Sequence, residues 1–587
     1  MASDALRARA AELGVQASYH DVDGGLHDAD ETVLDHVVQI LEADRAGAAA
    51  TSRTAPPVHV AGGGPIVVSA RVVDASIDLE GRPVALVVRH DASGDLLELP
   101  DDLPFGCHLV RFDADTGPGE TIVVVAPGTM QRDDRLAGRG SLFVPTYALW
   151  ERDRPLPSFR HLHELARSLK SSGVDAVSTL PLYATFLDDP FDPSPYSPVS
   201  RLHWNELYLD DDGLPPAPIP PQTNLVDWRS LAERRRLQLI EAAARVTPAL
   251  EARLAAFGAA HPDVGAYARF MAHREAGGDP TVERSHLLAQ YLADQQLASI
   301  AADPDAAALA LDLPIGSSPV GYEVWADPSM FASGVSVGAP PDTFFADGQN
   351  WGFPPPLPAA MHASGHRLWR RLIERVGRHA DVLRIDHAMA IERLWWVPDG
   401  HSADQGVYVH YPREEILAVI AASAAAAGIT IVGENLGTVP PEVSEAFERW
   451  DVLGMYEEQF HLDDDPLPRI PARTVAGIRT HDMEPIAELV ATSDTSGYRE
   501  RLGAAHRRTI EPRWNDVVDQ MLVRLAASDA YLVSADLDDL IGETRPHNLP
   551  GRVVPGLWAR RLDRPTSEIL ADPDVRRRLS ILGRTTP

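Results

Sequence analysis

Three carboxylates stand where a short apolar run ends: Asp386 closes "DVLRID", Glu434 closes "ITIVGE" and Asp482 closes "VAGIRTHD". In parallel β/α barrels, residues just past the C-terminal ends of strands converge on one pocket, so acids in those positions can act together. One acid at a strand end is often only a helix N-cap or a loop residue. The joint occurrence carries the reading. Glycoside chemistry needs such a set: one carboxylic acid protonates the leaving oxygen while a second carboxylate attacks the anomeric carbon from the opposite face. A third can hold substrate hydroxyls that tighten against it in the transition state. Arg384 lies two residues before Asp386, on the same face of the strand, and would keep that carboxylate ionised. His387 and His481 adjoin Asp386 and Asp482 and are placed to hydrogen-bond sugar hydroxyls; a lone histidine is more often a satisfied structural residue.

The elements that must position these acids are legible as alternating patterns. From about Gly138, short apolar runs ("SLFVPTYAL", "VDAVSTLPL", "ALALDLPIG", "DVLRID", "ITIVGEN", "VLGMYE", "VAGIRTHD", "AYLVSADL") alternate with helical patterns such as "RHLHELARSLKSSG". Such alternation predicts an α/β chain with a closed (β/α)8 TIM-type barrel over residues 136–587, interrupted by a helix-rich insertion at about residues 231–310. Ahead of it, β-branched runs between Gly, Asp and Pro predict a small antiparallel, sandwich-like β domain over 58–135. Residues 1–57 read as a helical segment followed, from Ala46, by a linker.

Composition removes several classes of function. A formal charge of −32 repels phosphate backbones and anionic lipid, so nucleic acid and membrane surfaces are not expected partners, whereas neutral sugars are unaffected. No apolar run is long enough for a membrane span, and Met1 to Gln16 lacks the apolar core of a signal peptide. Cys107 is the only cysteine, which rules out a disulfide framework or a cysteine metal site and fits a reducing, cytoplasmic compartment. The histidines show no evident metal-ligand spacing, so no metal or other cofactor is expected.

Seven segments make the reading specific. "LRIDHAMAIERLWWVP" (Leu383 to Pro398), "VGENLGTVPPEV" (Val432 to Val443) and "RTHD" (Arg479 to Asp482) resemble, in order, the catalytic segments of the amylomaltase (4-α-glucanotransferase, disproportionating enzyme) family. "DPSPYSPVSRLHWNELYLD" (Asp192 to Asp210), "DLPIG" (Asp312 to Gly316), "GVSVGAPPDTFFADGQNWGFPP" (Gly334 to Pro355) and "DQGVYVHYP" (Asp404 to Pro412) match as well, and the N-terminal layout is that of the longer bacterial members. The resemblance implies retaining transfer of α-1,4-glucan segments from maltooligosaccharides to the 4-hydroxyl of an acceptor sugar. It implies that Asp386 is the nucleophile, Glu434 the general acid/base and Asp482 the transition-state stabiliser. By the same resemblance Arg384, His387 and His481 contact the sugar next to the scissile bond, Tyr196 lies on the donor side, and Asp342 and Trp351 belong to a mobile loop closing over the glucan. Trp351 sits in a Gly/Pro-rich loop, where an indole face can stack on a pyranose, whereas Trp395 and Trp396 lie in an apolar run and read as core. Ala390, Asn435 and Met483 depart from the family pattern, as does the absence of a Gly-Asp turn after the first barrel strand. An α-glucan hydrolase on the same site and, more remotely, a non-catalytic carbohydrate-binding protein are the alternatives.

Overall fold

The computed structural model describes residues 2–20, 24–50, 55–62, 64–79, 81–91, 94–342, 345–437, 439–552 and 554–584. Eight parallel strands form its centre: β1 (Arg139–Phe143), β2 (Ala176–Ser178), β3 (Ala308–Leu313), β4 (Val382–Ile385), β5 (Thr430–Gly433), β6 (Gly454–Glu457), β7 (Thr474–Gly477) and β8 (Leu532–Asp536). Each pairs with its sequence neighbour, β8 returns to β1, and a parallel bridge between Val432 and Leu453 joins β5 to β6. The sheet is therefore a closed barrel, and each of the eight predicted apolar runs supplies one strand. Parallel strands covered by helices are buried on both faces and so read as continuous apolar runs; β5 is buried at every position.

Helices close the outside with local signals of their own. Ser158 caps Phe159–Ser171 through its side chain, and Gly428, at φ 71°, ends the alanine-rich helix Arg413–Ala427 in the left-handed conformation that glycine accepts without strain. Between β2 and β3 the chain makes an excursion of four helices, Trp228–Ala244, Pro248–Ala260, Pro262–Ala276 and Pro280–Ala301. The last three begin on proline, whose missing N–H costs nothing at a first helical turn.

The N-terminal part differs from the expected helix-plus-linker in two respects. Ser18–His20 pairs with Leu26–Asp28 as a short antiparallel ribbon, and the helix Glu31–Ala50 continues into the alanine run read as linker, because alanine is the strongest helix former; residues 51–54 lie outside the described part. Residues 58–125 form one five-stranded and one three-stranded sheet around a core of their own that includes Ile66, Ile77, Leu97, Val110 and Phe112. One pairing there, Val58–Val60 against Gly117–Val125, is parallel rather than antiparallel. Val58, Ile122 and Val124 pack on Ala418, Val419 and Ala422 of the helix Arg413–Ala427.

A second, antiparallel sheet of four strands, Gln349–Phe353, Val335–Ala339, Arg393–Pro398 and Val407–His410, rises from the barrel and carries Trp351. Trp395 and Trp396 are buried within it, as their apolar surroundings predict. A buried arginine ties two of the matched segments together and is ion-paired to Glu323. Arg201 donates to both oxygens of Glu323, with Nη2–Oε2 at 2.8 Å, and to the carbonyl oxygen of Ile315 at 2.8 Å just beyond β3. Removing one partner of a buried pair strands a charge at a cost of about 3–5 kcal/mol. Glu323→Ala should therefore lower the urea stability of the barrel by about that amount; an unchanged unfolding midpoint would show that the pair does not hold β3.

Candidate active site

The barrel's hydrogen-bond ladder runs on into two of the predicted acids. Asp386 donates its N–H to the Leu313 carbonyl of β3, and Glu434 donates its N–H to the Ile385 carbonyl of β4, each at 3.0 Å. Since Ile385 is in register with Gly433, Asp386 and Glu434 are the next residues along two adjacent strands. Below them Asp312 of β3 and Arg384 of β4 face each other in register. Arg384 Nη1 donates to both oxygens of Asp312, at 2.7 and 2.8 Å, and to Asp386 Oδ1 at 3.1 Å, while its Nη2 lies 4.0 Å from Glu434 Oε2. One guanidinium thus holds three carboxylates.

Glu434 is further fixed by the backbone. His387 N–H donates to Oε2 at 2.7 Å and Leu436 N–H to Oε1 at 3.1 Å. His387 achieves this from a left-handed conformation, φ 45° and ψ 59°, which is strained for a non-glycine residue and turns the chain over Glu434. Burial pushes the Asp386 carboxyl up to about 8 against the opposing Arg384 guanidinium, and the charges of Asp312, Glu434 and Asp482 act in the same direction as burial. Burial also lowers His387 and His481, so both imidazoles are neutral hydrogen-bonding groups at neutral pH.

Asp482 stands higher and more open, five residues beyond the end of β7, with its side chain 40% exposed. Asn548 Nδ2 donates to its Oδ1 at 2.6 Å. The Arg479 guanidinium shapes the loop that carries it, donating to the carbonyls of Thr480 (3.0 Å) and Met483 (3.2 Å). His481 packs between rings: it stacks on Tyr196 at 5.2 Å and 9° and on Phe143 at 5.8 Å and 19°. Tyr196 donates its hydroxyl to Asp312 Oδ2 at 2.6 Å, so the predicted donor-side aromatic joins the same cluster. Trp351 reaches His387 edge-to-face at 5.2 Å. Asp342 belongs to the loop, where its Oδ1 accepts the Phe345 N–H at 2.7 Å; Thr343 and Phe344 lie outside the described residues. Inside the barrel a cavity of about 100 Å³ is lined by Asp312, Arg384, Glu457, Arg479 and His481 among apolar neighbours, and the three acids stand outside its lining.

This arrangement has known relatives. The sequence profile of the 4-alpha-glucanotransferase family, glycoside hydrolase family 77, matches residues 144–284 and 281–566. The chain belongs to that family. It is 30% identical to the 4-alpha-glucanotransferase of Mycobacterium tuberculosis over 548 residues, covering 77% of this chain and 75% of the relative. It is 25% identical to that of Haemophilus influenzae, with 97% of each chain covered. The crystal structure of amylomaltase from Corynebacterium glutamicum shares the fold over 99% of both chains, with a TM-score of 0.86 at 21% identity. The amylomaltase from Streptococcus agalactiae in complex with acarbose matches 76% of this chain and 98% of its own, with a TM-score of 0.67 at 22% identity. As a member of family 77 the chain is a glucanotransferase, which sets aside the hydrolase and binding-protein alternatives.

Several residues of this family-77 site give little or no signal in the sequence. Asp312 is visible there only as the first letter of "DLPIG", although it anchors both Arg384 and Tyr196. Asn548 gives no local signal, since 66 residues separate it from Asp482. Glu457, at the end of β6, is buried with an unpartnered Oε2 among the described residues, and burial pushes its carboxyl up to about 8 against the opposing Arg384 and Arg479. It ends an apolar run as the predicted acids do and could have been found by the same criterion. Among the departures from the family pattern, Asn435 has a clear structural part, because its Oδ1 accepts the Met455 N–H at 2.8 Å and so ties β5 to β6. Asn548→Ala should lower kcat by about tenfold, the worth of one hydrogen bond to a charged group, with little effect on folding because the pair is exposed; wild-type kcat would show that Asp482 needs no such support.

Proposed function

We propose that the chain transfers α-1,4-glucan segments between maltooligosaccharides by a retaining double displacement, with Asp386 as nucleophile, Glu434 as general acid/base and Asp482 as transition-state stabiliser. The observation that carries this reading is the register of β4 and β5. Adjacent strands lie about 4.7–4.9 Å apart, and Asp386 and Glu434 follow a registered pair of residues on β4 and β5, so the two carboxylates stand side by side at the barrel mouth, as a retaining pair must.

In the first step Glu434 protonates the departing glycosidic oxygen as an Asp386 oxygen bonds to the anomeric carbon, giving a glucosyl-enzyme. In the second, Glu434 takes the proton from the 4-hydroxyl of an incoming sugar, whose oxygen displaces Asp386 with a second inversion. Arg384 opposes protonation of Asp386 and fixes its direction, and Asp482 holds hydroxyls of the sugar as positive charge develops. Tyr196 supplies a ring face on the donor side, and Trp351, against His387, supplies another from the loop that shields the intermediate from water. Arg384, His387 and His481 line the sugar nearest the bond, and Asp342 shapes the loop that closes over it. The chemistry requires no metal and no nucleotide. A neutral glucan is indifferent to the acidic surface, and among the described residues no helix is long and apolar enough to cross a membrane. The single cysteine fits a cytoplasmic setting.

Incubation with maltotriose alone should give a ladder of shorter and longer glucans. With an α-glucosyl fluoride, which leaves with little acid help, Glu434→Gln should accumulate a glucosyl-enzyme labelled at Asp386, whereas Asp386→Asn should form none. Label on Asp482 in both variants would overturn the assignment. The pH profile tests Arg384. Only the ionised Asp386 attacks, and its folded value is raised, so kcat/KM is full above that value and lost as the pH falls through it. Arg384→Gln removes the opposing charge, so the acid limb should move to higher pH and kcat should fall; an unmoved limb would mean that another group governs it.

A further inference from the structure

Three side chains, two from separate helices and one from the residue that precedes a third, meet at a point that shares no residue with the acid cluster. His362 lies in Pro358–Ala363, His366 precedes Arg367–Val376, and Glu415 sits in the first turn of Arg413–Ala427. His362 Nδ1 is 2.7 Å from Glu415 Oε1, and His366 Nε2 makes a very short contact with the same oxygen. The three donor atoms all lie within 4.8 Å of one another.

We propose that His362, His366 and Glu415 bind a divalent transition metal, zinc in preference to others. Two imidazole nitrogens and one carboxylate oxygen suit a Zn²⁺ ion at about 2.0–2.2 Å from each, whereas Ca²⁺ and Mg²⁺ favour all-oxygen sites. Two further features support an ion. His366 is held in the left-handed region, φ 50° and ψ 41°, a conformation costly to a residue with a Cβ and one that clusters at ligand sites. Its ring is fully buried and its Nδ1 has no hydrogen bond among the described residues, so its desolvation must be compensated at Nε2. The second feature is convergence. Both imidazoles address the same oxygen, Glu415 Oε1, so the three donor atoms are already gathered closely enough for one ion to take the place of the two hydrogen bonds. The side chain of His362 is 43% exposed, which leaves a solvent-facing side where the ion enters and water completes the tetrahedron.

The place of the cluster gives the ion a structural role. His362 lies just after the strand Gln349–Phe353 that carries Trp351, so the ion pins the root of that loop to the barrel helix Arg413–Ala427. No step of glucosyl transfer passes through it. The H-x3-H spacing of His362 and His366 is a local sign of a metal site, contrary to the expectation that the histidines show none, and the third ligand stands 49 residues further on, on another helix.

The test uses the untagged full-length chain, stripped with a chelator, dialysed and titrated with ZnCl₂ against a chromophoric competitor. One equivalent should bind and raise Tm, and Co²⁺ should give the visible absorption of a four-coordinate nitrogen–oxygen site. His362→Ala, at a half-exposed position where folding tolerates the change, should weaken binding by at least about tenfold, as should Glu415→Gln. A wild-type chain that binds no stoichiometric zinc, or variants that bind it as wild type does, would overturn the site and show the cluster to be a hydrogen-bonded staple.

Discussion

Three carboxylates drawn into the mouth of a barrel repel one another and lose water, and both effects favour protonation. Arg384 makes the cluster tenable. Its guanidinium cannot shed its charge at any ordinary pH, and its Nη1 reaches both oxygens of Asp312 and one of Asp386 while its Nη2 faces Glu434. Asp312 orients the guanidinium, and the same Nη1 that it binds also reaches Asp386. Arg384 thus works against the burial and the neighbouring charges that push the carboxyl of Asp386, the proposed nucleophile, upward.

A second buried arginine acts comparably at the far side of the mouth. Arg479 lies 2.8 Å from Asp539 and 3.1 Å from Asp536, and Asp538 of the same turn is bound by Arg560 and by His547 at 3.1 Å. His547 in turn accepts or donates at Tyr147, 2.9 Å away, and its backbone carbonyl takes the Trp558 N–H. This network sets the loop of Asp482 and the adjoining wall of rings, Trp558, Tyr196 and His481. Buried ion networks contribute little net stability, because desolvation offsets attraction, but they fix geometry. Here the geometry fixed is that of the most exposed of the three acids.

The outer parts brace the same mouth. The helix Glu31–Ala50 packs on the antiparallel sheet that presents Trp351, and Asp44 caps the helix of His362 by accepting the N–H groups of Ala359 and Ala360. The N-terminal helix thus bears on the frame from which the loop springs, while the small β domain rests on the helix Arg413–Ala427; neither carries any of the proposed catalytic groups.

Much of this was legible in the amino-acid order because parallel barrel strands are buried on both faces. Their apolar runs, and the acids that end them, are local features that survive without coordinates. Trp395 and Trp396 declared themselves as core in the same way. Partnership across strands was not legible, since it depends on register and on closure of the barrel: Asp312 opposite Arg384, Asn548 on Asp482, Tyr196 stacked on His481. The alanine run after Arg45 misled as linker because propensity, not polarity, decided it. The sequence by itself determined the barrel and where its acids lie along the chain. Only the tertiary structure decided which charges meet, because an ion pair depends on distance through space, and side chains 72 or 116 residues apart are brought to 2.7 and 2.6 Å by folding alone.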